Sequence, residues 1–240
     1  MRLNQRVEST VLRLENISVH KHERSILKKV SLSLTEQRTG IIGSNGSGKS
    51  TLARVIKGLD RISEGNIYWD GQLLEFSSRG ERASAVQSRV GFVFQNPDNQ
   101  IVFPIVEEDM AFGLSRSGLS QQQIHERIGD QLARFGLESL RQRRIHELSG
   151  GEKQLIATMS VLVMEPELLV FDEPTTLLDY RNRMRWIQTL ASLSQPAIIV
   201  SHDLDLMQIM DRVLVLEQGE VVFDSLPSQA IAHYKNLHTC

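Results

Sequence analysis

Cysteine is nearly absent from this sequence, since the 240 residues include only Cys240. An internal disulfide framework and a thiol-based metal site are therefore excluded, and a reducing compartment such as the cytoplasm is expected. Lysine and arginine number 27 against 29 aspartates and glutamates. No overall basic charge points to a nucleic acid or to an anionic membrane surface, and we predict no nucleic-acid partner.

Long apolar runs are missing as well. None approaches the roughly 20 residues that span a bilayer, and the start, Met1 to Glu8, is too polar for a signal peptide. No repeat or low-complexity segment is present. We expect a chain that is soluble by itself and reaches a membrane only by docking onto a separate membrane protein. Its length suits one α/β domain, or a domain with a modest subdomain.

The most specific motif is Gly43-Ser-Asn-Gly-Ser-Gly-Lys-Ser-Thr51. It matches the phosphate-binding loop pattern G-x-x-x-x-G-K-[ST]. An apolar strand-like stretch precedes it and helix-period apolar residues follow it, whereas a merely flexible Gly/Ser turn would need neither. We predict that this loop binds a nucleoside triphosphate through Gly43, Ser44, Asn45, Gly46, Ser47, Gly48, Lys49, Ser50 and Thr51.

Each residue type in the loop has a physical reason. The glycines lack a Cβ, so successive backbone N–H groups can turn inward around the phosphates. Lys49 offers a positive charge to the β and γ phosphates. Ser50 opens the following helix, where its hydroxyl can reach a Mg²⁺ ion and the helix dipole favours phosphate.

Hydrophobic periodicity predicts an α/β fold with a mostly parallel sheet, a phosphate-loop NTPase core, an antiparallel β edge near the amino terminus and an inserted helical subdomain. We place the core at about residues 10–100 and 166–226, the helical subdomain at about 104–165 and a short tail at 226–240. The predicted strands are Val11–Val19, Ile26–Leu34, Thr39–Ile42, Gly65–Gly71, Arg89–Gln95, Leu168–Phe171, Ala197–Val200, Val213–Leu216 and Val221–Phe223. The predicted helices after the loop are Glu107–Leu114, Ser120–Phe135 with Ser120 as the N-cap, Gly151–Met164 and Arg181–Leu193.

Two carboxylates, Asp172 and Glu173, follow an apolar strand, and ligands of open α/β sheets bind at such strand ends. Asp172 can hold Mg²⁺ through water, and Glu173 can polarise a water molecule for in-line attack on the γ phosphate. The alternative is a polar strand terminus that stops at Pro174. Beside a phosphate loop, Mg²⁺ explains the adjacent carboxylates better.

Two further strand-end residues are candidates. His202 could hydrogen-bond the γ phosphate and orient the water, or it could simply lie near a helix N-terminus that Asp203 caps. Gln95 could approach Mg²⁺ and the attacking water, or it could be an ordinary polar residue beside a turn. The local residues alone leave both alternatives open.

A second anion site is predicted in Leu148-Ser-Gly-Gly-Glu-Lys-Gln, where Ser149 and the N–H groups after Gly150 begin a helix. An N-cap serine with flexible glycines is the alternative. One ATP does not need two phosphate cradles from one chain. The redundancy becomes intelligible if the second cradle closes on an ATP that another subunit holds.

Taken together, the phosphate loop, Gln95, Leu148-Ser-Gly-Gly-Glu, Asp172-Glu173, Asp179 and His202 resemble an ATP-binding cassette (ABC) ATPase from about Val11 to Asp224. The resemblance implies ATP with Mg²⁺ and a head-to-tail dimer that sandwiches two ATPs. It implies catalytic roles for Lys49, for Glu173 as general base and for His202 as γ-phosphate switch. Ser50, Gln95 and Asp172 would hold the metal, Asp179 would cross the dimer, and Ser149, Gly150, Gly151 and Glu152 would close on the partner's ATP.

Within that family, Gln95-Asn-Pro-Asp-Asn-Gln-Ile resembles the energy-coupling-factor group, and Thr175-Thr-Leu-Leu-Asp-Tyr-Arg-Asn resembles its biotin branch. This implies an importer with a transmembrane coupling subunit and a substrate-binding membrane subunit, at the cytoplasmic face of the inner membrane. The ATPase dimer would be of identical chains or of related ones. A cobalt or nickel importer and a soluble ATPase for cofactor assembly are the alternatives.

Some residues depart from the family pattern. His20-Lys-His stands where an aromatic residue usually stacks on adenine, and Glu152 stands where glutamine is commoner. A GTPase or a small-molecule kinase fits less well, since no Asn-Lys-x-Asp guanine motif is present and Ser149 to Glu152 would be left unexplained.

Overall fold

The computed structural model describes residues 12–22, 24–74, 86 and 88–239. The expectations placed on Met1 to Glu8, on Val11 and on Cys240 fall outside these described residues. The chain divides into two compact units, the first from segments 1–88 and 197–240 and the second from segment 89–196.

The first unit contains an antiparallel sheet. Its strands are β1 (Leu12–Lys21), β2 (Arg24–Leu34), β4 (Glu64–Trp69) and β5 (Gln72–Leu74), in the order β2-β1-β4-β5. Leu14 lies opposite Leu32 of β2 on one side and Ile67 of β4 on the other. All three side chains are buried, so the apolar face of this sheet forms part of the core of the unit.

The first unit also carries parallel strands around the phosphate loop. The central strand β3 (Arg38–Ile42) pairs in parallel with β8 (Ala197–Val200) and β9 (Arg212–Glu217), and β10 (Glu220–Ser225) pairs antiparallel with β9. Every residue of β3 and β8 is buried, as expected for strands covered on both faces. Helices of this unit that lie wholly within the described residues are α1 (Lys49–Lys57), α6 (Leu204–Met207) and α7 (Pro227–Leu237).

The second unit joins a parallel strand pair to four helices. The strands are β6 (Val90–Val93) and β7 (Leu168–Asp172), and the helices are α2 (Val106–Gly113), α3 (Gln121–Arg134), α4 (Gly150–Leu162) and α5 (Tyr180–Ser192). Short 3₁₀ turns occupy Pro97–Asn99, Glu138–Leu140 and Ile145–Glu147.

Close packing fixes these helices on the strands of the second unit. A Cβ at Gly91 in β6 would lie 2.5 Å from Val161 Cγ1 in α4, so the glycine allows the helix to approach the strand closely. Phe171 of β7 meets Trp186 of α5 edge to face, with ring centroids 5.1 Å apart. Both β7 and the last two turns of α4 therefore belong to the core of this unit.

The predicted α/β fold, with its mostly parallel sheet, antiparallel edge and intervening helical segment, is confirmed. Ser120 is confirmed as an N-cap, since its side chain accepts a hydrogen bond from Gln123 N. Strand β5 and helix α7 were not predicted, and helix α6 was considered only as the alternative in which Asp203 caps a helix beside His202. Among the helices of the described residues, none has the length and apolarity needed to cross a bilayer.

Candidate nucleotide-binding site

The phosphate loop connects β3 to α1 in the first unit. Its lysine, Lys49, is the first residue of α1 and is 7% exposed. The Nζ atom of Lys49 donates hydrogen bonds to Gly43 O at 2.8 Å and to Ser44 O at 2.9 Å. The cation is thus held over the loop by the loop's own carbonyl groups. The helix begins at Lys49, one residue before the predicted start at Ser50, and Gly48 is its N-cap.

Two glycines of the loop are required by packing. A Cβ at Gly43 would lie 1.9 Å from Leu216 O, and a Cβ at Gly48 would lie 2.9 Å from Ile26 O. Gly46 meets no atom within 4 Å but has φ of +82°, a conformation that favours glycine. The two ends of the loop therefore lie close to the backbone of β9 and β2, whereas the middle of the loop has open space around it.

The polar side chains of the loop differ in exposure. Asn45 and Ser50 are exposed, Ser44 and Thr51 are half-buried, and Ser47 is 2% exposed. Within the described residues, the buried Ser47 Oγ has no hydrogen-bond partner. An unpaired hydroxyl in a glycine-rich loop beside a buried lysine is suited to a phosphate ligand.

Glu217, which the sequence analysis missed, lies against this loop. Its carboxylate accepts hydrogen bonds from Ser44 N at 2.8 Å and from Ser44 Oγ at 2.6 Å. The neighbouring turn adds a bond from Gly219 N to Ser47 O at 2.9 Å. The only local signal was a polar Glu-Gln-Gly after an apolar strand, which is typical of any strand end.

His202 also belongs to the first unit and is exposed after β8. The following Asp203 caps α6, because its carboxylate accepts from the N–H groups of Asp205 and Leu206 at 3.1 Å. The capping role considered for Asp203 is confirmed. His20 and His22 are exposed at the end of β1, and the intervening Lys21 pairs with Asp60 at 2.6 Å.

The second unit carries the remaining candidates. Ser149 caps α4: its Oγ accepts from Glu152 N at 3.3 Å, while the Glu152 carboxylate accepts from Ser149 N at 2.9 Å. Bonds from the Ser149 backbone and side chain lower the pKa of Glu152. The first turn of α4 is thereby fixed, with Ser149 and Gly150 exposed.

Gly151 brings a second candidate next to that turn. A Cβ on Gly151 would lie 2.3 Å from Asn182 Nδ2 in α5. The N–H of Asn182 in turn donates to the Asp179 carboxylate at 2.8 Å, which makes Asp179 the N-cap of α5. The structure therefore brings Ser149 to Glu152 and Asp179 together through Gly151 and Asn182.

Asp172 and Glu173 follow one another at the end of β7. Asp172 is the last residue of the strand and is 9% exposed. Glu173 adopts φ of +51°, which is uncommon for a residue with a long side chain, and its carboxylate accepts from Thr176 Oγ1 at 3.2 Å. A strained backbone at a strand end is frequent at functional sites.

Gln95 is exposed just beyond β6, and the residues around it are tied to α4. Gln100 accepts from Phe94 N at 3.2 Å and donates to Ala157 O at 2.6 Å. Asp98 pairs with Lys153 at 2.8 Å. The polar run after Gln95 thus connects the end of β6 to the helix that Ser149 caps, a connection that the sequence analysis did not find.

Metal-ligand chemistry is limited in the described residues. They contain no group of three or more histidine, cysteine, aspartate or glutamate side chains that could hold a metal ion. The candidate ligands Ser50, Gln95 and Asp172 offer a hydroxyl, an amide and a carboxylate oxygen. These are hard oxygen donors, which suit Mg²⁺ completed by water and phosphate oxygens.

The strand, loop and helix around Lys49 define the class of this protein, an α/β protein with a nucleotide-binding phosphate loop. Comparison with known families then narrows the class. Residues 27–176 match the ABC transporter family. The chain belongs to this family and is one of its ATPases.

Curated relatives extend the match to most of the chain. A biotin transport ATP-binding protein of Rhizobium etli is 43% identical over 226 residues, which are 94% of this chain and 98% of the relative. An energy-coupling factor transporter ATP-binding protein of Streptococcus pyogenes is 36% identical over 232 residues, which are 93% of this chain and 82% of the relative.

Solved structures agree with this assignment. Clostridium perfringens cbiO1, part of the ABC transporter complex cbiONQ, superposes with a TM-score of 0.84 at 30% identity and covers 96% of this chain and 94% of its own. A dimeric ATP-binding cassette in a post-hydrolysis state with ADP and Pi gives a TM-score of 0.79 at 27% identity, over 90% of this chain and 98% of its own.

Proposed function

We propose that this chain is the ATP-hydrolysing subunit of an energy-coupling-factor importer and that the imported solute is biotin. The observation that carries the proposal is the 43% identity to a biotin transport ATP-binding protein over 94% of this chain. The similarity to an energy-coupling factor ATP-binding protein supports the broader class. The domain bounds remain predictions: the core at about residues 10–100 and 166–226, and the helical subdomain at about 104–165.

In the proposed site, the backbone of Gly43 to Thr51 and the Lys49 ammonium group bind the phosphates of ATP. Ser50, Gln95 and Asp172 would hold Mg²⁺, which would supply charge neutralisation for the transferred phosphoryl group. Glu173 accepts a proton from the attacking water as general base. His202 donates a hydrogen bond to the γ phosphate and holds that water in line.

A second copy, or a related ATPase, completes each site. The exposed Ser149 and the N–H groups at the start of α4 form an anion site without a phosphate loop of their own. We propose that they close on ATP held by the other subunit, with Asp179 beside them through Gly151 and Asn182. The dimeric state of a related cassette supports this arrangement.

The membrane partners are a transmembrane coupling subunit and a substrate-binding subunit. Apolar side chains in the second unit support such a partner: Val102 is 70% exposed and Phe112 55% exposed, and the rings of Phe103 and Phe112 lie 5.1 Å apart. Exposed apolar clusters of this kind mark interaction surfaces. We place the protein peripherally, at the cytoplasmic face of the inner membrane.

Glu173→Gln tests the catalytic proposal. It should retain ATP and dimerise while turnover falls by orders of magnitude, because the proton acceptor is lost. Lys49→Ala should abolish tight ATP binding. ATP binding is measured with a fluorescent ATP analogue at equilibrium, dimerisation by size-exclusion chromatography, and turnover by phosphate release. Near-normal hydrolysis by Glu173→Gln would refute its role.

Transport tests the solute. Cells that depend on this ATPase and its membrane subunits should take up labelled biotin, and Glu173→Gln should stop the uptake. The similarity to cbiO1 of the complex cbiONQ favours a cobalt or nickel importer as the second candidate. Uptake of ⁶³Ni²⁺ or ⁵⁷Co²⁺ without biotin uptake would select it. Failure to co-purify with any integral subunit from detergent-solubilised membranes would instead favour a soluble assembly ATPase.

A further inference from the structure

The turn between β9 and β10 supports the phosphate loop from behind. Leu216 O leaves no space for a Cβ on Gly43, and Gly219 N donates to Ser47 O at 2.9 Å. The turn is itself held in place, because Lys28 N of β2 donates to Gly219 O at 2.8 Å. A displacement of this turn would therefore displace the loop.

Glu217, the last residue of β9 before that turn, contacts the loop through its carboxylate. Both of its carboxylate oxygens accept hydrogen bonds from Ser44: Oε1 from Ser44 N at 2.8 Å and Oε2 from Ser44 Oγ at 2.6 Å. The Glu217 side chain is 16% exposed. Hydrogen bonds to a carboxylate in such a setting are stronger than those between neutral groups. They fix the backbone and the side-chain rotamer of Ser44 together.

His238, the C-cap residue of α7, contacts the same carboxylate. His238 Nε2 lies 3.2 Å from Glu217 Oε1, and the His238 ring packs against Tyr234 with centroids 4.7 Å apart. The buried Ala230 and Ile231 anchor the helix in the first unit. Burial raises the pKa of Glu217, but the bonds from Ser44 and the contact with His238 outweigh this effect and leave the pKa lowered. The carboxylate is therefore ionised at neutral pH.

We propose that Glu217 is a positioning residue for the phosphate loop and that His238, the C-cap residue of α7, orients it. Glu217 acts through Ser44, and it holds the first turn of the loop in the shape that receives the triphosphate. The proposal rests on the proposed role of this loop in binding ATP. Because Glu217 does not belong to the proposed hydrolytic groups, its loss weakens nucleotide binding and leaves the chemical step intact.

The test measures the Kd of a fluorescent ATP analogue together with KM and kcat on the full chain. Glu217→Ala should raise Kd and KM about tenfold and leave kcat within about twofold, the pattern of lost uniform binding. Glu217→Gln keeps an acceptor for Ser44 N and should raise Kd only about threefold. Glu220→Ala is the matched control, because Glu220 is a nearby exposed carboxylate that pairs only loosely with Lys28 at 3.9 Å.

A double-mutant cycle separates positioning from general damage. Ser44→Ala with Glu217→Ala should be no worse than Glu217→Ala alone, because both remove one interaction. His238→Ala should raise Kd about twofold to threefold, as expected for one partly exposed contact. His238→Gln, which can restore a donor, should recover most of the loss.

An unchanged Kd in folded Glu217→Ala overturns the proposal. The proposal also fails if Glu220→Ala raises Kd as much as Glu217→Ala does, or if the effects of Ser44→Ala and Glu217→Ala on the free energy of binding simply add. If Glu217→Ala does not fold, Glu217→Gln decides by the same Kd measurement. Lys49→Ala is measured in parallel. If Lys49→Ala still binds ATP, the proposed function fails, whereas if only Glu217→Ala binds normally, the positioning role alone fails.

Discussion

Ser149 and Glu152 bond to each other in both directions across the first turn of α4. Ser149 N and Oγ donate to the Glu152 carboxylate at 2.9 and 2.8 Å, and Glu152 N donates to Ser149 Oγ at 3.3 Å. Glutamate thus fills the N3 position of a capping box, which accepts glutamate or glutamine. The departure from the commoner glutamine leaves this helix start intact.

Glu152→Ala should lower the free energy of unfolding by about 1 kcal/mol, because the start of α4 loses its reciprocal cap. Glu152→Gln should lower the free energy of unfolding by less than about half as much, since the glutamine amide oxygen still accepts a hydrogen bond from Ser149 N. Urea unfolding at pH 7 measures both. Glu147→Ala, at an exposed carboxylate paired with Arg143 at 3.2 Å, is the control. Equal stability of Glu152→Ala and wild type would contradict the cap.

Gln100→Leu should destabilise the second unit by about 2 kcal/mol, because Phe94 N and Ala157 O lose their shared partner and an unsatisfied polar group costs about 1–3 kcal/mol. ATPase activity should fall as well if the segment that follows Gln95 must stay attached to α4. Denaturant unfolding and phosphate release measure the two effects. Gln122→Ala, on the exposed face of α3, should be nearly neutral. A stable, fully active Gln100→Leu would show that the bridge is dispensable.

Glu107→Gln should destabilise the protein at neutral pH but not in acid. Glu107 accepts from Arg141 Nη2 at 2.6 Å and lies 2.8 Å from His125 Nδ1, and the bond from Arg141 lowers its pKa. A carboxylate with a lowered folded pKa contributes stability above its unfolded pKa and loses it as the pH falls through the folded pKa. Unfolding free energies should therefore differ at pH 7 and converge as the pH falls from the unfolded glutamate pKa of about 4.3 through the lower folded pKa.

The control for Glu107 is Glu138→Gln, at an exposed carboxylate of the 3₁₀ turn Glu138–Leu140. Its curve of stability against pH should follow that of the wild type. A constant difference between Glu107→Gln and wild type from pH 7 to the acid limit would show that packing, and not charge, sets the effect.

Gly43→Ala should be far more damaging than Gly46→Ala. The new Cβ at position 43 would lie 1.9 Å from Leu216 O, a backbone atom that cannot move without its strand, whereas position 46 opens onto empty space. Gly46→Ala should cost about 1–2 kcal/mol, for placing a non-glycine residue at positive φ. Thermal unfolding and binding of the fluorescent ATP analogue measure both variants. Similar losses of thermal stability and of ATP-analogue binding in the two variants would refute the packing argument.

Local patterns predicted the elements of this fold well, because apolar periodicity and turn residues are read within a few positions. Strands β3, β7 and β8 are buried throughout, and a short apolar run is their direct signature. Ser120 was found for the same reason, since a capping residue acts on the turn that follows it. Helix α7 was missed although it carries local signals, because Pro227 stands at its first position and Ala230, Ile231, Tyr234 and Leu237 follow at helical spacing.

Long-range partners could not be predicted in this way. Glu217 and Ser44 are 173 positions apart along the chain, and only the pairing of β3 with β9 brings them together. Gln100 and Ala157 are 57 positions apart. Neither residue stands in a motif that specifies its partner. The roles of the site residues, including Glu173 and His202, remain predictions that the experiments above address.

Gly151 has a mechanical consequence. With no side chain between them, the backbone of α4 and Asn182 of α5 are in direct contact, while Asp179 and Ser149 cap their respective helices. The starts of two helices that are distant in sequence therefore touch each other. A movement of one helix start will be transmitted to the other through this contact.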